Sequence, residues 1–145
     1  MSDFRIRSVE HPDDPAWPFV FDTWVGSYLA AARKNAPNEL AQALSARPEA
    51  GPLVRKWVGE LAKGSEVALM VDGEQPDVYA GWACGSVYAL HFVYVKKVFR
   101  RLGLGGQLID QLGSPSRYSL STWPKHDRWL ESRGMIYDPK VRLFP

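Results

Sequence analysis

An apolar strand that runs into Arg100-Arg101-Leu102-Gly103-Leu104-Gly105-Gly106, and from there into an amphipathic helix, constrains this chain more than any other feature. Glycines at 103, 105 and 106 let backbone approach a ligand closely and adopt φ > 0 where required. The unpaired N–H groups of a first helical turn point outward, and the helix dipole adds partial positive charge. Together these features make a pyrophosphate cradle. Arg100 and Arg101 can add charge-assisted bonds to the same phosphates. Two other nucleotide motifs use similar parts and are excluded. A P-loop needs G-x-x-x-x-G-K-[ST], and no Lys-Ser or Lys-Thr follows these glycines. A Rossmann turn needs G-x-G-x-x-G opening a βαβ unit near the N-terminus, and both spacing and position differ. The plainer alternative is that the glycines only cap a helix against a sheet.

The pattern on either side of the turn sets the architecture. Phe4 to Val9 alternates as a half-buried strand, and Phe21, Trp24, Val25, Tyr28 and Leu29 repeat at helical spacing. Leu40 and Leu44 mark a short helical piece between prolines. Leu53, Val54, Trp57, Val58 and Leu61 form another stripe, with Gly64 as its C-cap. Three strands follow, Val67–Val71, Val78–Cys84 and Val87–Val95. The connections Asp72-Gly73 and Gly85-Ser86 are too short for parallel crossovers, so an antiparallel meander is predicted. After the glycine turn come a helix carrying Leu104, Leu108, Ile109 and Leu112, and a strand over Tyr118–Thr122. A helix over Pro124–Arg133 and a last strand over Met135–Phe144 complete the pattern. No repeat or linker divides residues 1–145, which read as one α+β domain with a mixed sheet.

Composition narrows the function classes. A length of 145 residues suits one domain, and 46% hydrophobic with 23% charged residues is globular. No secretory h-region opens the chain, and no apolar run approaches the ~20 residues of a membrane span. Cys84 is the single cysteine, so no internal disulfide forms and a reducing, cytoplasmic location is expected. Eighteen basic and 16 acidic residues nearly balance, which argues against a general nucleic-acid binder. The densest clusters, Lys96-Lys97 and Arg100-Arg101, suit the phosphates of a small cofactor as readily as a polynucleotide. No metal site is expected. Of the six tryptophans, Trp24, Trp57 and Trp129 fall at core-like spacings, leaving Trp17, Trp82 and Trp123 as candidates for other roles.

Residues 90–105, LHFVYVKKVFRRLGLG, resemble the central motif of the GNAT acyltransferase superfamily. That motif is a strand ending in Tyr-Val, a short linker, an aromatic, then [RQ]-x-x-G-x-[GA]. Residues 129–135, WLESRGM, resemble the family's final helix running into its last strands. The order of elements over roughly residues 3 to 144 is also similar. The resemblance implies a GNAT-like, mostly antiparallel central sheet flanked by helices. It implies acetyl-CoA as cofactor, with the backbone of Tyr94 and Val95 hydrogen-bonded to the pantetheine arm. Arg100, Arg101, Leu102, Gly103, Leu104, Gly105 and Gly106 would hold the pyrophosphate.

On the catalytic side the chain departs from the family. His91 stands four residues before Val95, where the family commonly has a glutamate base. Its unperturbed pKa near 6.5 suits removal of a proton from an attacking amine, and the alternative is a satisfied strand residue. Leu130 stands where the family often has a tyrosine that protonates the departing thiolate, and the expected asparagine is replaced near Trp123. Ser121 or His126 are the possible substitutes. Cys84, at the end of an apolar strand, reads as a buried inert thiol. Trp24, Tyr28 and Trp82 either line an acceptor pocket or pack the core.

The reading that follows is direct transfer of an acetyl or acyl group to a primary amine of a small molecule or peptide, through a tetrahedral intermediate. Backbone N–H groups of the central strand would hold the oxyanion. Two other readings are a GNAT-shaped binding or assembly module without turnover, and a GNAT-like nucleic-acid-base-modifying protein of phage type. The short last strand raises the prospect of a homodimer that completes the sheet.

Overall fold

A computed structural model of the protein describes residues 3–35, 50–119 and 124–138. Among these, six strands form one sheet in the order of the sequence: β1 (Phe4–Ser8), β2 (Glu66–Asp72), β3 (Tyr79–Gly85), β4 (Leu90–Val95), β5 (Arg117–Tyr118) and β6 (Ile136–Tyr137). The described helices are α1 (Trp17–Asn35), α2 (Ala50–Lys63), α3 (Leu104–Gln111) and α4 (Pro124–Ser132), with a 3₁₀ turn at Lys97–Phe99. Strands β1 to β4 pair antiparallel, as the short connections dictate for β2–β3 and β3–β4, and β4–β5 and β5–β6 pair parallel across helical crossovers. The α+β class and the mixed, mostly antiparallel sheet flanked by helices are therefore those that the sequence predicts.

Strand alternation divides the core into two layers. On one face Val67, Leu69 and Val71 join Trp82, Cys84 and Phe92 under α1 and α2, which contribute Val20, Trp24, Val58 and Leu61. On the other, Met70, Ala83, Leu90 and Val93 meet Leu104, Leu108 and Ile109 of α3 and Leu130 of α4. Trp24 and Trp82 are both fully buried, with ring centroids 5.3 Å apart. They are core residues, so neither lines an acceptor pocket, and Tyr28 is half-buried against Trp57. The Trp82 indole N–H donates to Thr23 Oγ1 at 2.8 Å. Upstream of α1, Asp14 accepts the amides of Glu10 and Ala16 and pairs with Arg7 at 2.7 Å. That pairing ties β1 to the helix that follows it.

Several boundaries differ from the periodicity, each for a local reason. Helix α1 begins at Trp17 and runs to Asn35, longer at both ends than its apolar stripe. Helix α2 closes on Ser65, whose N–H donates to Ala62 O and whose hydroxyl donates to Leu61 O. Strand β4 begins at Leu90 instead of Val87, because Ser86 turns the chain: its N–H donates to Ala89 O and its Oγ accepts the Tyr88 amide. The predicted helical piece at Leu40 and Leu44 lies outside the described residues. So do Leu120 to Trp123 and everything from residue 139 onward in the predicted last strand.

Candidate functional site

The site is built on the two unequal edges of β4. Toward β3 the strand is paired from Leu90 to Val95, and the Lys96 amide extends the ladder by donating to Ala80 O at 2.8 Å. Gly81 makes this approach possible, since a Cβ there would strike the Tyr94 carbonyl and the Val95 Cα. Toward β5 the described residues pair at one place: Leu90 lies opposite Tyr118, and the Ser119 amide donates to Leu90 O at 2.9 Å. Residues along a strand present their backbone groups to alternate sides. With Lys96 and Tyr94 facing β3, the main chain of Val93 and Val95 faces the side that β5 leaves open. Of the two residues expected to meet a pantetheine arm, Val95 thus has its backbone on that side and Tyr94 has its backbone on β3.

Beyond Val95 the chain makes the turn that the sequence singles out. Arg101 (φ 67°) and Gly103 (φ 76°) are both left-handed, and Gly103 is the N-cap of α3 without any side-chain cap. The first described backbone bond of the helix is Gln107 N–H to Gly103 O at 3.2 Å. The amides of Leu104, Gly105 and Gly106 thus have no acceptor among the described residues. Arg100 Nε donates to Val95 O at 2.8 Å, pinning that guanidinium between the end of β4 and the turn. Arg101 and Leu102 are exposed, Leu104 is buried, and neither Arg100 nor Arg101 has an acidic partner among the described residues. Lys96 is drawn to the other face, its Nζ 5.1 Å from the Phe19 ring centre. This donor set, amides plus two guanidinium groups, fits a pyrophosphate.

Helix α4 supplies residues that the sequence reading did not assign to the site. A Cβ on Gly105 would lie 3.1 Å from the Trp129 ring, and one on Gly106 would lie 2.9 Å from Arg133 Nη1. Arg133 is held there by Asp110 at 3.1 Å. Trp129, read from its spacing as core, is 37% exposed beside the glycine turn, whereas Trp82, left over as a candidate, is buried. No sequence signal separates the two, because both sit in amphipathic or alternating segments.

The titratable groups divide sharply. His91 is 2% exposed, and its Nδ1 shares a hydrogen bond of 2.7 Å with Ser119 Oγ, tying β4 to the residue after β5 at the paired end. Leu130 is buried in the core. Tyr118 is no replacement acid: burial, and then its bond to Glu131, push the phenol up to about 12. Burial pushes the Cys84 thiol up to about 12 as well, so it is inert at neutral pH. His126, on the first turn of α4, is held below the ordinary imidazole range by burial and is neutral at pH 7. Its ring stacks on Phe92 of β4 with centroids 6.0 Å apart and lies 6.0 Å from the Trp129 ring. Ser121 and Trp123 lie outside the described residues.

No family profile matches the chain, and no curated protein matches it in sequence. Among solved structures it is similar to a protein from Desulfovibrio desulfuricans assigned to the GNAT family of acetyltransferases. The identity is 17%, over 91% of this chain and 84% of that one, with a TM-score of 0.47. It is also similar to AAC(6')-Iy in complex with the bisubstrate analogue CoA-S-monomethyl-acetylneamine, at 13% identity over 93% and 92% of the two chains, TM-score 0.46. A protein from Pyrococcus furiosus described as an acetyl transferase matches at 14% identity over 98% and 89%, TM-score 0.37. Likeness at this level transfers no residue role. The chain itself is an α+β fold in which an antiparallel meander passes into parallel β5, with the glycine turn set between β4 and α3.

Proposed function

We propose that the protein is an acetyl-CoA-dependent N-acyltransferase that acts on a primary amine of a small molecule or peptide. The observation that carries this reading is a coincidence of two features. No described strand pairs the β4 edge at Val93 and Val95, and three amides and two arginines at the start of α3 have no acceptor and no acidic partner among the described residues. Acetyl-CoA, when bound, supplies an activated thioester. The chain's part is to hold the pyrophosphate at Leu104–Gly106 with Arg100 and Arg101, and to lay the pantetheine arm along Val93 and Val95 as an added strand. That arrangement positions the reacting carbon, and positioning alone supplies much of the rate in amine acylation.

Calorimetric titration with acetyl-CoA and with CoA is the direct test. Micromolar binding, about −8 kcal/mol, is expected. Absence of binding at millimolar cofactor overturns the reading.

A second reading, a binding or assembly module that keeps the fold without turnover, is favoured by one observation. Both positions where the family places acid and base are occupied by buried core residues, His91 bonded to Ser119 and Leu130. CoA binding without acetylation of any primary amine would select it.

A further inference from the structure

We infer that His126 is the proton-transfer residue of this site; the inference rests on the acyltransferase reading above. His126 precedes Leu130 by one helical turn, so the two share a face of α4. Leu130 points into the core, and the residue one turn nearer the N-terminus reaches β4 instead, where its ring lies against Phe92. Both imidazole nitrogens are shielded from solvent and have no hydrogen-bond partner among the described residues. A buried polar pair without partners is costly, and a catalytic role is one of the recognised reasons for which a fold retains such groups. The environment is specific: Phe92 and Trp129 are the rings against it, and Asp127 on the same helix is the charged group that acts on it. Trp129 also touches Gly105 at the glycine turn, so His126 and the phosphate cradle are joined through one intervening side chain.

The chemistry asks for such a group. The amine nitrogen bonds to the carbonyl carbon and the carbon–sulfur bond breaks; one proton leaves nitrogen, and one ends on the sulfur of CoA. A neutral imidazole accepts the first proton through a ring nitrogen and returns it to the thiolate, so the residue is unchanged at the end of the cycle. Burial makes the imidazolium a stronger acid than an exposed one, which favours delivery to a thiolate, since thiols ordinarily titrate above imidazoles. His91, by contrast, has its Nδ1 engaged with Ser119 Oγ at the paired end of β4.

The test begins with CoA calorimetry on the parent protein. It continues with imidazole ¹H–¹⁵N spectra with and without saturating CoA, and with release of CoA thiol from acetyl-CoA in the presence of lysine, ethylenediamine or spermidine. Because Cys84 is buried, the native protein adds no reactive thiol to that readout. The expected results are a shift of the His126 ring signals on CoA addition, and a fall in kcat of about a hundredfold or more in His126→Gln. Affinity for CoA in that variant should stay within a factor of about three of the parent. His126→Phe, which keeps the packing against Phe92, should lose turnover in the same way. Ring signals that do not move at saturating CoA, or a variant rate within about threefold of the parent, overturn the assignment while leaving CoA binding intact. A parent protein that binds no CoA removes the acyltransferase reading itself, and this inference with it.

Discussion

The two edges of β4 use one stretch of chain for opposite purposes. Along the β3 edge every residue of β4 is in register except His91, at a register shift, and the side chains beneath it (Trp24, Trp82, Phe92) stack among themselves with no exposed surface beyond a few per cent. Along the β5 edge the described residues supply one pair, and of the side chains nearby His126 has buried ring nitrogens without a described partner and Trp129 is 37% exposed. The closed edge supplies rigidity that the open one does not have to provide for itself. A strand held on one side can leave main-chain donors unpaired on the other without fraying, which is what ligand binding by strand addition needs.

The contrast is broken most severely from the closed side. Replacing Trp82 by Ala removes a fully buried indole and the bond its N–H gives to Thr23 Oγ1, and about 3–5 kcal/mol of stability should be lost. That is a large part of the 5–15 kcal/mol of a typical domain. Urea unfolding measures it, and Trp129→Ala is the matched control. The control should unfold at nearly the parent midpoint but bind CoA more weakly. Equal midpoint shifts in the two variants would erase the distinction between the edges.

Gly105→Asp sharpens it from the open side. An acidic residue in the first turn of α3 suits the helix dipole, and its Cβ meets only the edge of the Trp129 ring, so the fold should survive. The same charge opposes a pyrophosphate, and CoA affinity should fall at least tenfold, about 1.4 kcal/mol. Unchanged calorimetric affinity would move the phosphates away from this turn.

The smallest expected effect lies far from both edges and tests whether they share one scaffold. The hydrogen bond from Arg7, offset in part by burial and aided by the amides of Ala16 and Glu10, holds the Asp14 carboxyl well below the usual carboxylate range. A depressed folded pKa gives stability that is present above the unfolded value near 3.9 and is lost as pH falls below it. Asp14→Asn should therefore cost roughly 1 kcal/mol at neutral pH, with Arg7 partly solvent-screened, and flatten the acid limb of the stability curve. Parallel pH curves for parent and variant down to pH 2 would dismiss the pairing.

Much of this protein follows from the sequence. Period-2 runs bounded by Asp72-Gly73 and Gly85-Ser86 require an antiparallel meander, because chain length forbids anything else. The left-handed turn before α3 required glycine at 103, and the glycine spacing marked it. The type of ligand that turn suits follows from local chemistry alone: amides, a helix end and two arginines within seven residues. The tertiary structure decided which aromatic lies on the glycine turn and which histidine packs against β4 from α4. Trp82 and Trp129 are indistinguishable by spacing, and they parted only when the sheet buried one and α4 laid the other on Gly105. His91 was tied to Ser119, 28 residues away, and His126 was brought to Phe92 across a helical crossover. A side chain's partners in a sheet are set by neighbours distant in sequence. Local pattern can therefore mark the glycine turn, while only the assembled sheet decides which side chains lie against it and against β4.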